Sequence, residues 1–122
     1  MDIKLFDSEL RVMDIVWERE PVSAKEISIA ADEAYGWNKN TTYTIIKKLI
    51  DKEVLLRTEP KFICTSIVKK EQVQKAETNQ LIDKLYQGSK RAFFATFLKD
   101  EGLTKEDYEE LKNLIADSER SK

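Results

Sequence analysis

Histidine is absent from the sequence, and cysteine occurs once, as Cys64. Without histidine the commonest catalytic base and nitrogen ligand are missing, which excludes serine–histidine and cysteine–histidine hydrolytic arrangements and histidine-metal chemistry. One cysteine closes neither an intramolecular disulfide nor a cysteine-only zinc site. Three glycines and two prolines in 122 residues exclude collagen-like and linker-rich chains. No apolar run approaches the roughly 20 residues that span a bilayer. The opening Met1-Asp2-Ile3-Lys4-Leu5-Phe6 lacks the basic-then-apolar layout of a signal peptide, so a cytoplasmic protein without membrane insertion is expected. What the chain does have is 41% hydrophobic and 36% charged residues, sufficient to fold around a core. The length suits one domain of average size or two very small ones that lean on each other or on a second copy. The carboxylates Glu106, Asp107, Glu109 and Glu110 fall at a helix start, where they complement the positive end of the helix. The expectation is a binding protein with no catalytic residues, metal or cofactor.

The net charge of −2 hides a segregation. Residues 1–36 carry 4 basic and 9 acidic side chains, net −5; residues 37–70 carry 8 and 3, net +5; residues 71–122 carry 9 and 11, net −2. An acidic chain with a basic centre points to a local polyanion contact, because counterion release depends on the cations that reach the phosphates and not on total charge.

Apolar spacing gives the elements. Leu10, Met13, Val16 and Trp17 form the stripe of a first helix that starts near Asp7 or Ser8, either able to cap it, and ends before Pro21. Ser23-Ala24-Lys25-Glu26 is a capping box opening a second helix, with Ile27, Ala30, Ala31 and Ala34 as its buried side. Tyr35-Gly36-Trp37 makes a turn, and Asn38 caps a third helix from Lys39 to about Lys52, with Ile45, Ile46, Leu49 and Ile50 facing the core. The period then shifts to two in Val54–Arg57 and Phe62–Ser66, joined by Thr58 to Lys61, which reads as a hairpin. Three helices and a hairpin are the layout of a winged helix-turn-helix. From Lys69 onward three further amphipathic segments follow, punctuated by Gly88 and Gly102, the last opened by the capping box Thr104-Lys105-Glu106-Asp107. These 54 residues are too few to bury three apolar stripes alone, so a second copy is the natural cover. The expected fold is mainly α with a small β-hairpin: a winged helix-turn-helix over 1–68 and a helical dimerisation tail over 69–122.

Several blocks of this chain resemble the penicillinase repressor (BlaI/MecI) family: Glu9-Leu10-Arg11-Val12-Met13-Asp14-Ile15-Val16-Trp17, Val22-Ser23-Ala24-Lys25-Glu26-Ile27, Trp37, Thr41-Thr42-Tyr43-Thr44-Ile45-Ile46-Lys47-Lys48-Leu49 and Leu81-Ile82-Asp83-Lys84-Leu85-Tyr86. The resemblance implies an N-terminal winged helix that binds a palindromic operator in double-stranded DNA and an interleaved tail that makes a homodimer. It also implies a membrane sensor protease that triggers repressor cleavage when β-lactam is present. Carried over by position, the DNA-binding residues are Lys39, Asn40, Thr41, Tyr43, Thr44, Lys47 and Lys48 of the third helix, with Arg57 and Lys61 in the wing. Asn40, Tyr43 and Lys47 are expected on one outward face, with Tyr43 and Lys47 as this chain's own specificity determinants. The dimerisation set is Leu81, Leu85, Phe93, Phe97, Leu111 and Ile115.

Three positions depart from the family pattern. Glu53 stands where a glycine usually follows the third helix, so a different turn is expected. The wing Thr58-Glu59-Pro60-Lys61 is short, and Glu59 would repel phosphate. Thr96-Phe97 occupies the place of the family's scissile Asn-Phe bond, so the inducing signal stays open between tail cleavage and another cue, with Phe97 alternatively a dimer-core residue. A related branch senses copper through clustered cysteines near its C-terminus, which this tail lacks; Cys64 is expected to be a small buried apolar residue. A competing class is a winged-helix module that binds an acidic protein through its basic face.

Overall fold

Residues three and four apart bury one stripe of helix α1, Asp7–Arg19, through Val12, Met13 and Val16, with Ile15 beside them. The computed structural model describes residues 3–99 and 102–121; Met1, Asp2, Asp100, Glu101 and Lys122 lie outside it. Neither Asp7 nor Ser8 caps α1. The N-cap is Phe6, and the first-turn carboxylate of Glu9 reaches back to accept its N–H at 2.8 Å. Glu9 itself is only 2% exposed. Its Oε1 also meets Lys52 Nζ at 2.7 Å, and its Oε2 has no partner.

Strand β1, Val22–Ser23, precedes helix α2, Ala24–Tyr35. Ser23 accepts the N–H of Glu26 as expected, but Glu26 takes its bond from the Ser23 hydroxyl and not from backbone. Ala24, Ile27, Ala30 and Ala31 are buried, whereas Ala34 is exposed with the rest of the last turn, which runs past the core residues. Gly36, at φ 70°, closes α2 in the left-handed conformation that a side chain resists. Helix α3, Lys39–Asp51, begins at Asn38, whose Oδ1 accepts Thr41 N–H at 2.8 Å. The hairpin comprises β2, Leu55–Thr58, and β3, Ile63–Ser66, with the turn at residues 59–62. β1 adds to it in the antiparallel order β1-β3-β2, with Val22 opposite Cys64 and Ser23 opposite Ile63. Trp17 Nε1 donates to Ser66 Oγ and to the carbonyl of Val68, tying the outgoing strand to α1.

The turn after α3 keeps the geometry that a glycine would give. Glu53 has φ 62°; its N–H bonds Ile50 O and that of Val54 bonds Leu49 O, the paired bonds of a Schellman cap, with Leu49 and Val54 both buried. The expectation of a different turn is therefore corrected, because the buried Leu49–Val54 pair demands this path whatever residue stands between. Glu53→Gly should relieve left-handed strain worth about 1–2 kcal/mol and return part of it as unfolded-chain entropy. The expected outcome is a net gain of roughly 0.5–1 kcal/mol in urea denaturation; a loss would show that Glu53 is not strained.

Helix α4, Lys70–Tyr86, contains the division between two compact units, residues 1–78 and 79–122. This lies ten residues beyond the 68/69 boundary expected from the hairpin, because the start of α4 packs with the first unit. Val73 is buried in its core, Ala76 packs against that core, and Glu77 Oε1 accepts Leu5 N–H at 3.1 Å.

The second unit continues with α5, Lys90–Leu98, and α6, Lys105–Arg120. The Thr104 capping box is complete: its hydroxyl accepts Asp107 N–H while Asp107 Oδ2 accepts Thr104 N–H, both at 3.0 Å. Phe93 is the hub of an edge-on aromatic cluster, with ring centroids at 5.6 Å from Tyr86, 5.4 Å from Phe94 and 4.9 Å from Phe97. Among the described residues of this unit the buried hydrophobic is Ile82; Leu81, Leu85, Phe94, Phe97, Leu98, Leu114 and Ile115 are exposed.

Candidate nucleic-acid interface

One face of α3 is committed to the core. Thr42, Ile45, Ile46 and Leu49 are buried, which leaves Asn40, Thr44, Lys47 and Lys48 in solvent at spacings of three and four. Thr41 lies beside them in the first turn. Asn38, Asn40, Thr41, Thr44, Ile45 and Lys48 line a shallow depression of about 380 Å³. The Thr44 hydroxyl donates to Asn40 O at 2.8 Å, so its proton is spent within the helix. What Thr44 offers outward is an oxygen lone pair and a methyl group, suited to an amino group or a thymine methyl on a base edge.

Tyr43 departs from the expected shared face with Asn40 and Lys47. It is half-buried and turned toward the wing, its ring edge-on to Phe62 at 5.9 Å, with Lys39 Nζ 5.5 Å from the Tyr43 centroid. Phe62, not singled out in the sequence, thus bridges α3 and the wing. On its other side the Arg57 guanidinium lies 3.6 Å from the Phe62 centroid. Arg57 also contacts Glu59 Oε1 at 2.6 Å through both Nε and Nη2. Glu59 Oε2 accepts Phe62 N–H at 3.3 Å. The Arg57 side-chain bond, then the Phe62 amide, holds the Glu59 carboxyl below its usual range. Lys61 is exposed at the tip, with φ 72°. Glu59, expected from the sequence to repel phosphate, is within the chain the partner of Arg57.

Cys64 is buried in β3 beneath the wing, and that burial pushes its thiol up to about 11 against a weaker opposing pull from Arg57. At neutral pH it is a protonated, unreactive apolar group. Among the described residues no three acidic or cysteine side chains are grouped to hold a metal, and no helix is long and apolar enough to cross a membrane.

A winged helix with its third helix bared on the solvent side is shared by many regulators, and comparison narrows it. The family description "Penicillinase repressor" matches residues 5–117. The chain belongs to that family. Within the penicillinase repressor family, it is 27% identical over 117 residues to the penicillinase repressor of Staphylococcus aureus, covering 94% of this chain and 93% of that one. It is 27% identical over 120 residues to the methicillin resistance regulatory protein MecI of S. aureus strain N315, covering 94% and 98%. In three dimensions it is similar to Bacillus licheniformis BlaI, in its monomeric form in complex with the blaP half-operator. The TM-score is 0.53 at 22% identity, over 58% of this chain and 89% of that one. The solution structure of the DNA-binding domain of BlaI matches equally, with TM-score 0.53 over 57% and 88%. The shared part is the winged-helix fold, in accord with the fold class expected from the sequence.

Proposed function

We propose that this member of the penicillinase repressor family acts as a homodimeric transcriptional repressor, occupying a palindromic operator with the exposed face of α3 in the major groove. The observation that carries the reading is the face of Asn40, Thr44, Lys47 and Lys48, which the core leaves bare at the pitch of a groove-bound helix. That B. licheniformis BlaI is in complex with a half-operator supports operator DNA as the partner. The names of the relatives point to β-lactam resistance genes as the regulated class. In this reading Thr44 and Tyr43 discriminate bases, Tyr43 from where α3 meets the wing, while Lys47, expected from the sequence to add specificity, is assigned with Lys48 and Lys61 to neutralising phosphates.

The homodimer rests on the apolar surface of the second unit, where Leu81, Leu85, Phe97 and Ile115 stand exposed and Phe93 and Leu111 are half-buried. A sensor protease would have to reach Thr96–Phe97 inside α5, where the Thr96 hydroxyl donates to Ala92 O and Phe97 packs on Phe93. Cleavage there requires unwinding the helix, and this supports Phe97 as a dimer-core residue and an inducing signal other than tail proteolysis.

Selection of bound duplexes from a random pool supplies the test duplex. Tyr43→Ala with Thr44→Ala should relax discrimination by roughly 1–3 kcal/mol at particular base pairs, whereas Lys47→Ala should weaken all duplexes alike and reduce the salt slope by about one. If the double substitution leaves the preference intact, α3 is not the reader. If no duplex is selected and the basic face captures an acidic protein instead, the repressor reading falls.

A further inference from the structure

The wing carries an ion pair that the repressor reading does not use. Arg57 is the cation on β2 best suited to grip a phosphate, since a guanidinium binds two oxygens through a planar fork. In this chain the Nε–Nη2 edge of that fork is occupied from within. Nε and Nη2 both sit 2.6 Å from Glu59 Oε1, and the guanidinium carbon lies 3.6 Å from the Phe62 centroid. The Phe62 amide holds the other Glu59 oxygen. The carboxylate is therefore anchored from both ends, and Phe62 is in turn braced by Tyr43 from the reading helix. An isolated surface ion pair is worth little, but an arginine gripped at two nitrogens and stacked on an aromatic has lost the freedom to search for another anion.

We propose that Glu59 is an intramolecular phosphate surrogate that holds Arg57 off the DNA backbone, lowering the affinity of this repressor for DNA of any sequence. The inference rests on the DNA-binding reading above. It follows that the wing engages DNA through Lys61 alone among its cations, and that the protein dissociates more readily than a wing with a free arginine would allow. Because the surrogate acts on phosphate contact and not on base readout, it tunes affinity while leaving sequence preference where α3 sets it.

The test uses the full chain with Glu59→Gln, an exposed substitution that keeps size and removes the charge. Binding is measured by fluorescence anisotropy on the selected duplex and on a scrambled duplex across a salt series. Release of Arg57 should tighten binding to both duplexes by roughly tenfold per engaged wing. The slope of log K against log salt should steepen by about 0.9 for each new phosphate contact. The double variant E59Q/R57A should lose this gain. If the gain persists in the double variant, removal of a repelling charge explains it and the surrogate reading is overturned; unchanged affinity and slope in Glu59→Gln overturn it as well. Failure of the wild type to bind either duplex would instead sink the repressor reading itself, a result separable from both. Circular dichroism and a urea midpoint equal to wild type establish that each variant is folded.

Discussion

Replacing Phe97 and Ile115 together by alanine is expected to turn a dimer into a monomer and to weaken binding to the selected palindromic duplex by a factor of roughly 10²–10⁴. In the single chain Phe97 is 50% exposed and Ile115 is 60% exposed, so much of what these side chains would gain by burial is not yet realised. Full truncation of a buried phenylalanine costs about 3–5 kcal/mol, and a two-fold interface loses each deleted contact twice. The effect on DNA comes through linkage: two coupled reading helices raise one another's local concentration, and a monomer retains only one. Binding to a half-site duplex should therefore stay near the wild-type value while binding to the full palindrome collapses. Sedimentation velocity run beside anisotropy decides the matter. A variant that stays dimeric removes these residues from the interface, and a monomer that keeps full palindrome affinity removes dimerisation from the mechanism.

Lys52→Met should destabilise the first unit by about 2–3 kcal/mol, below the 3–5 kcal/mol typical of breaking a fully buried pair because Lys52 keeps some solvent contact. Its side chain is 36% exposed, against 2% for Glu9. Lys52 Nζ meets Glu9 Oε1 at 2.7 Å, lies 3.4 Å from Lys4 O, and sits 4.7 Å from the Phe6 centroid. The pair thus staples the start of α1 to the end of α3. Removing the cation leaves a buried carboxylate that already has one unpartnered oxygen. Glu9→Gln in the Lys52→Met background should recover much of the loss, since glutamine still accepts the Phe6 N–H and carries no charge to desolvate. Urea denaturation of both singles and the double gives the coupling directly. Strict additivity would mean that the two residues do not act as a pair.

Glu9 and Lys52 also mark the line between what was legible in the sequence and what was not. Glu9 lies three and four residues before Val12 and Met13, on the apolar side of α1, and that position signals burial. Nothing local could name Lys52 as its partner, 43 residues away. Caps are different. Ser23, Asn38 and Thr104 each serve an N–H three residues ahead, so the interaction is complete within the motif that announces it.

By itself, then, the sequence determined the helices, most of their apolar faces and the hairpin, because a periodic pattern and a capping motif are local records of which side of an element meets water; the family was legible separately, in the resemblance of whole residue blocks. The tertiary structure alone decided which element covers each face. It recruited Val22 and Ser23 into a third strand too short to show any period. It kept the start of α4 with the winged-helix unit. It also stacked Tyr43, Phe62 and Arg57 from α3 to the wing and closed Arg57 onto Glu59. Residues on different elements become neighbours only when packing fixes distance and direction together, and no spacing along a chain encodes that.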